Sequence, residues 1–153
     1  IASINGNGPT IKKLLNNKAD IDLKDIYGKT ALIYAVINNN QDAVKFLLKN
    51  GANIDDIDKS EWTSLLWAIK KKRIDIAKIL ISAGADINHE DDEGTHIIHY
   101  AVFSGSYDIL KLLINAEVKL KATDQYGLTP LVYALKEKNT QMIKIIKDYG
   151  GKY

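Results

Sequence analysis

Short apolar segments alternate with polar ones along the whole chain, and within each segment the apolar residues recur at helical spacing. Leu32, Ala35 and Val36 lie three and four residues apart, as on one face of a helix. First helices are predicted near 31–38, 64–71, 97–104 and 130–137, and second helices near 41–49, 74–82, 107–115 and 140–147. Helices this short are not stable alone, so their stability must come from packing against their neighbours.

The segments repeat with a fixed period. Asp25-Ile-Tyr-Gly-Lys-Thr-Ala-Leu returns as Asp124-Gln-Tyr-Gly-Leu-Thr-Pro-Leu, three periods of 33 residues later. Asp58 and Asp91 stand at the two intermediate steps. In-phase copies of this kind indicate a repeat protein, in which each unit buries its apolar face only against the next.

The repeated motifs resemble those of ankyrin repeat proteins. The family pattern Asp-x-x-Gly-x-Thr-Pro-Leu-His-x-Ala is nearly complete at 124–134, and Leu-Leu-x-x-Gly-Ala is present at 47–52. The resemblance implies an all-α repeat solenoid of helix-turn-helix repeats with β-hairpin fingers. We expect a single domain over 1–153, with these parts: a partial repeat 1–24 and repeats 25–57, 58–90, 91–123 and 124–153.

Helix caps agree with this pattern. Thr30, Thr63 and Thr129 each precede a predicted first helix and can accept a hydrogen bond from its unpaired N–H groups. Pro130 follows the last of them, at a position where the missing N–H costs nothing. These three threonines therefore mark predicted helix starts.

Glycines end two of the second helices, and a third lacks one. Gly51 and Gly84 lie where a left-handed residue is wanted, whereas Glu117 occupies the equivalent position. A non-glycine residue in that conformation costs about 1 kcal/mol. We therefore expect the junction between 91–123 and 124–153 to fray first.

Composition removes several classes of function. The chain has 153 residues, 46% of them hydrophobic, with a net charge of +2 and no cysteine. Disulfides, thiolate metal sites and thiol nucleophiles are excluded, and a general nucleic-acid binder would be far more basic. No apolar segment is long enough to span a bilayer, so we expect no membrane insertion. A monomer in the cytoplasm is expected, although the start at Ile1 leaves room for a signal upstream.

The resemblance implies that the protein is a protein–protein interaction scaffold. In ankyrin domains the partner lies in a concave groove, against the finger tips and the exposed side of each first helix. The predicted partner-binding residues are Tyr27, Lys29, Trp62, Trp67, Lys70, Lys71, Asp92, Glu93, Tyr100, Phe103, Tyr126 and Tyr133.

An aromatic ladder is predicted from the period alone. Tyr34, Trp67, Tyr100 and Tyr133 recur every 33 residues and must stack along the repeats. The ladder either packs first helices against neighbouring fingers or contacts the partner, and amphipathic rings can do both. Four other aromatic residues have less reason to be buried and rank above the ladder as contacts: Trp62, Tyr27, Tyr126 and Phe103.

Charge is unevenly distributed. Residues 70–73 form a basic run, whereas 55–58 and 90–93 are acidic. Such runs are either solvated turns or parts of a polarised groove that orients a partner. In the second case an acidic peptide would meet Lys70 and Lys71.

Catalytic and metal chemistry are weakly represented. His96 and His99, with His89 and Glu90 nearby, have a spacing that could ligate zinc. The competing interpretation places His99 at the family's Leu-His position, where it bonds within the scaffold, and has His96 replace a capping threonine. No phosphate loop or nucleophile triad is apparent, and residues 6–9 are interpreted as a turn.

We therefore expect a protein that is not an enzyme and has no cofactor. Three alternatives remain open: an ankyrin domain that acts in cis within a larger enzyme or secreted effector, a small-ligand or metal-binding module, and a structural spacer.

Overall fold

The computed structural model of the protein describes residues 8–151, and within this range the chain is helical. Its helices are α1 (Gly8–Asn16), α2 (Ala31–Ile37), α3 (Gln41–Lys49), α4 (Ser64–Lys70), α5 (Ile74–Ser82), α6 (Ile97–Ser104), α7 (Tyr107–Asn115), α8 (Pro130–Lys136) and α9 (Thr140–Asp148). Both predicted sets of helices are present within one residue of their predicted ends.

The structure does not confirm two predictions about local structure. The turn predicted at 6–9 is wrong from Gly8 onward, because α1 begins there and its first turn tolerates Pro9; Gly6 and Asn7 lie outside the described residues. The β-hairpin fingers are not confirmed. Tight turns connect the repeats, and among residues 8–151 the β pairing is one isolated bridge between Glu90 and His96.

Threonine caps form at two of the three predicted positions. The side-chain oxygen of Thr30 accepts a hydrogen bond from the N–H of Ile33 at 3.3 Å, and Thr63 caps α4 in the same way. At α8 the side chain of Thr129 makes no cap bond. Pro130 presets the backbone there, and the Thr129 carbonyl accepts from the N–H of Val132 at 3.0 Å.

The second helices also start at a recurring cap position. The side chains of Asn40, Ser106 and Asn139 each accept a hydrogen bond from the N–H group three residues on. Arg73 occupies this position before α5 and makes no side-chain cap bond, because a guanidinium has no acceptor. The repeat 58–90 therefore lacks a cap that its neighbours have.

Left-handed backbone recurs at three positions in the repeat. One follows each second helix, and the prediction for Gly51, Gly84 and Glu117 is confirmed, with φ of 87°, 92° and 64°. Another lies in the Asp-x-x-Gly turn and a third between the two helices. Within residues 8–151, six residues other than glycine have left-handed backbone: Lys18, Asn39, Glu61, Lys72, Glu117 and Lys138.

The described residues form two compact units, which divide between Ala85 and Asp86. In the N-terminal unit (8–85), α2 packs on α3 and α4, α4 on α5, α3 on α5, and α1 on α3. In the C-terminal unit (86–151), α6 packs on α7 and α8, and α8 on α9. One alanine in each of the helices α2, α4, α6 and α8 has no exposed surface, which suits close packing of helices: Ala35, Ala68, Ala101 and Ala134.

Candidate functional site

Each full repeat binds its first aspartate to its own turn. One carboxylate oxygen of Asp25 accepts hydrogen bonds from the N–H groups of Tyr27 and Lys29, both at 2.9 Å. The same pair of bonds forms around Asp58, Asp91 and Asp124. The carboxylate thereby fixes the turn that leads into each first helix.

The second carboxylate oxygen binds the ladder residue nine positions later. Tyr34 donates its hydroxyl proton to Asp25 at 2.6 Å, and the Trp67 indole N–H donates to Asp58 at 2.9 Å. In the C-terminal unit the hydroxyls of Tyr100 and Tyr133 donate to Asp91 and Asp124, each at 2.5 Å. The polar end of every ladder ring is therefore held within its own repeat, which fixes the orientation of the ring.

These bonds shift the acid–base behaviour of the pairs. The hydrogen bond from Tyr34 lowers the pKa of Asp25 and in turn raises the pKa of Tyr34. The bond to Asp124 raises the pKa of Tyr133 to about 12. Burial, together with the bond to Asp91, raises the pKa of Tyr100. The tyrosines thus stay neutral donors throughout the physiological range.

Asp58 is the most deeply buried of the three turn aspartates that have a lowered pKa. Burial acts to raise its pKa, but hydrogen bonds led by that of Trp67 hold the pKa below its usual value. Lys29 adds an ion pair, with its Nζ 3.1 Å from a carboxylate oxygen of Asp58. This ion pair joins two successive repeats. Because the Lys29 side chain is only 19% exposed, it offers little surface to a partner.

Two indoles and two exposed lysines form the predicted site of the N-terminal unit. The rings of Trp62 and Trp67 lie 4.9 Å apart between centroids, tilted by 60°. The Nζ of Lys70 lies 5.5 Å from the Trp62 ring, and that of Lys71 lies 5.8 Å from the Trp67 ring. These are cation–π distances. We call these four residues the tryptophan–lysine surface.

The C-terminal unit packs aromatic rings against one another. Phe103 meets Tyr133 edge-on with centroids 4.9 Å apart, and Tyr100 in the same manner at 5.9 Å. Phe103 remains 47% exposed, whereas Tyr100 is 9% exposed. We call these three residues the phenylalanine–tyrosine surface.

The remaining predicted contacts lie on the turns that precede first helices. Tyr27 is 58% exposed before α2, and Tyr126 is 74% exposed before α8. Asp92 and Glu93 are exposed on the turn before α6. The structure therefore divides the predicted residues: Lys29, Trp67, Tyr100 and Tyr133 are tied to aspartates, Trp62 is half-buried against Trp67, and the others are exposed.

The histidines have structural contacts. His99 is fully buried, and its Nε2 lies 3.1 Å from the carbonyl oxygen of Leu128. Burial lowers its pKa, so the ring is neutral and its Nε2–H donates to that carbonyl. The His96 ring lies between the carbonyl oxygen of Asn88, at 3.3 Å, and a carboxylate oxygen of Glu90, at 3.2 Å. In the described part of the chain, no three His, Cys, Asp or Glu side chains are grouped to hold a metal ion.

Sequence reasoning missed the bond between aspartate and ladder ring, and the indole pair. A signal for the first was available, because an aromatic residue follows the repeat's aspartate by nine positions in all four copies. No such signal marked the indole pair, since Trp62 has no aromatic counterpart at Lys29, Thr95 or Leu128.

Comparison with protein-family models gives a match that extends over the chain. A family model described as "Ankyrin repeats (3 copies)" matches residues 1–91 and 83–153. A search of curated proteins found no match to the chain. Of the helices that the structure describes, none has the length and apolar character needed to cross a membrane.

Proposed function

The chain belongs to the ankyrin repeat family, and from that premise we propose that it is a scaffold that binds another protein. Ankyrin repeats are generally protein-interaction modules, and the family is typically non-catalytic. The proposed contact surface in each unit is the side of the first helices and their preceding turns, which is the concave side in this family. The tryptophan–lysine and phenylalanine–tyrosine surfaces both lie there.

The observation that carries the proposal is the arrangement of the aromatic rings. Aspartates hold the polar ends of Trp67 in one unit and Tyr133 in the other. Phe103, whose ring meets that of Tyr133, and Tyr126 stay substantially exposed. Tyr and Trp are enriched at binding hot spots, and ordered side chains lose little entropy when a partner docks. Such rings support a preorganised protein-binding surface.

The test is affinity capture from a lysate of the source cell, with mass-spectrometric identification. Two variants each alter one unit: Trp62→Ala with Lys71→Glu changes the tryptophan–lysine surface, and Phe103→Ala with Tyr126→Ala changes the phenylalanine–tyrosine surface and the turn before α8. A matched control, Lys45→Glu with Lys111→Glu, changes exposed lysines of the second helices α3 and α7. Circular dichroism melts confirm that every variant is folded.

We expect a protein that wild type and control retain and at least one surface variant loses. A protein retained equally by all variants would place its contact elsewhere on the chain and contradict the proposed surface. Retention of no protein by wild type would contradict the scaffold function.

We also propose that residues 1–153 form one monomeric domain, with the repeat boundaries and the β-hairpin fingers given above. Both tryptophans lie in the N-terminal unit, so their fluorescence reports that unit's unfolding, whereas circular dichroism reports all helices. Coincident transitions by the two signals are expected of one cooperative domain. Separate transitions would show independently folding units.

A further inference from the structure

The turn between the helices of repeat 58–90 differs from its three counterparts. It reads Lys-Lys-Lys-Arg at 70–73, whereas the equivalent turns read Ile-Asn-Asn-Asn at 37–40, Phe-Ser-Gly-Ser at 103–106 and Lys-Glu-Lys-Asn at 136–139. Four consecutive cations therefore occupy one turn of the N-terminal unit.

Two of these cations occupy positions that cost local stability. Lys72 has a φ of 55°, at the left-handed position that Asn39 and Lys138 also hold and that Gly105 takes without strain. Arg73 provides no cap where Ser106 provides one, and its Nε is buried without a hydrogen-bond partner among the described residues. Each substitution costs about 1 kcal/mol relative to the better residue. Folding therefore does not explain this run of charge.

The two preceding lysines border the indole pair. Lys70 and Lys71 are exposed, with their ammonium groups over Trp62 and Trp67. The nearby carboxylate of Asp58 is 5% exposed and already binds Trp67 and Lys29. An incoming carboxylate would meet cationic groups with an apolar floor of indole beneath them.

We propose that the tryptophan–lysine surface binds an acidic segment of the partner protein, with its carboxylates at the ammonium groups of Lys70 and Lys71. The aliphatic stems of the acidic side chains lie against the indoles. This inference rests on the proposed function, because it names the chemistry of the partner at one of the two surfaces. Charge complementarity and the placement of the 70–73 run carry it.

Single-stranded nucleic acid also combines negative charge with groups that stack on indole. A nucleic-acid groove tracks several phosphates with continuous positive charge, whereas here the acidic stretch 55–58 precedes the surface and Glu61 is exposed before α4. The whole chain carries a net charge of only +2. A short acidic protein segment therefore fits the surface better.

The experiment uses intrinsic fluorescence, because Trp62 and Trp67 are the only tryptophans of the chain. The full chain is titrated with a short oligoglutamate peptide that lacks aromatic residues. We expect a saturable change in emission that weakens as salt is added, since exposed ion pairs are screened. Lys70→Glu with Lys71→Glu is expected to lower the affinity at least ~10-fold.

The control reverses the same number of charges in the same unit, with Lys45→Glu and Lys49→Glu on α3. Its affinity for oligoglutamate should stay within ~2-fold of wild type. Absence of saturable binding by wild type, or an equal loss in the control, would overturn the proposal. So would tighter binding of an oligothymidylate that the Lys70 and Lys71 changes abolish.

Failure of this inference is distinguishable from failure of the proposed function. Suppose that the captured protein is lost with Phe103→Ala and Tyr126→Ala but retained by Lys70→Glu with Lys71→Glu. That result would support the scaffold function and contradict the proposed binding of an acidic segment. If neither surface affects capture, the proposed contact surface fails whatever the oligoglutamate result, and if wild type captures no protein, the scaffold function fails.

Discussion

The two units place their ladder rings in the same way and surround them differently. Trp67 and Tyr133 are both bound to the aspartate nine residues earlier. Around Trp67 lie the ammonium groups of Lys29 and Lys71, whereas Tyr133 meets the edge-on ring of Phe103 as well as the ammonium group of Lys136. The repeat thus sets where the ring lies, and its neighbours set whether a second aromatic ring joins the cations around it.

One helix position shows how the surroundings vary. The residue three positions after the ladder ring shares its helix face, and it is Lys70 in α4 and Lys136 in α8 but Phe103 in α6. A lysine extends its charge over an indole, whereas phenylalanine fills the space between two tyrosine rings. Binding chemistry can therefore change within this repeat while the backbone stays the same.

Removal of an anchoring aspartate should have the largest effect. Asp58→Ala leaves the Trp67 indole N–H, Lys29 and two backbone N–H groups without their acceptor, so we expect a loss of about 3 kcal/mol in unfolding free energy. Asp91→Ala releases the Tyr100 hydroxyl and two N–H groups but no ion pair, and should cost about 2 kcal/mol. Urea denaturation measures both. Losses no larger than that of the exposed Asp42→Ala would contradict the anchoring role.

Alkaline pH should weaken the C-terminal unit more than the N-terminal unit. A raised folded pKa stabilises below the unfolded value, and this stabilisation is lost as pH rises from the model value of 10.0 through about 12 for Tyr133. The C-terminal unit has two such tyrosines, Tyr100 and Tyr133, whereas the ladder of the N-terminal unit has one, Tyr34, and Trp67, which does not titrate. Between pH 8 and pH 11 we expect the unfolding free energy, measured by urea denaturation, to fall by about 1 kcal/mol less in Tyr100→Phe with Tyr133→Phe than in wild type. This value is discounted for the exposure of the two tyrosines.

The same fall in wild type and double variant would contradict the tyrosine pairs as the cause. Tyr107→Phe is the control, because its hydroxyl bonds the neutral amide of Asn139.

A restored cap should stabilise the N-terminal unit. Arg73→Asn supplies the acceptor that Asn40 and Asn139 provide elsewhere, and should add about 1 kcal/mol. In the C-terminal unit, Asn139→Ala should remove a similar amount. Thermal melts followed by tryptophan fluorescence measure the first change. No gain in the midpoint for Arg73→Asn would show that the missing cap carries no cost.

Relief of left-handed backbone should have the smallest effect. Glu117→Gly removes a strained residue at φ 64° and should stabilise the C-terminal unit by roughly 0.5 kcal/mol. Hydrogen exchange should show the least protection at the junction of 91–123 and 124–153 in wild type, and more in the variant. Uniform protection across the chain in wild type would contradict the expected weak junction.

The sequence predicted local structure well because each repeat contains its own helix and turn signals. Helical spacing located α2 to α9, and the glycine pattern located the left-handed positions after the second helices, including Glu117. The failures had local causes as well: α1 begins at Gly8, and Thr129 does not cap a helix whose first position is Pro130. The family match agrees with the motifs at 47–52 and 124–134.

The resemblance to ankyrin domains supplied the predicted contact residues, but not the individual role of each residue. Lys29 was grouped with partner contacts, yet its Nζ binds Asp58 in the next repeat. Whether a ring is tied or exposed depends on groups brought together from separate turns and helices, and periodicity does not record those distances.

The sequence by itself determined the repeat, its helices and the phase of its aromatic ladder, because these follow from short-range spacing and backbone preference. Only the tertiary structure decided that Asp58 and Asp124 hold ladder rings, that Trp62 lies against Trp67, and that His99 is buried against Leu128. The physical reason is that a hydrogen bond or ring contact requires atoms within a few ångströms. That proximity arises only when turns and helices pack.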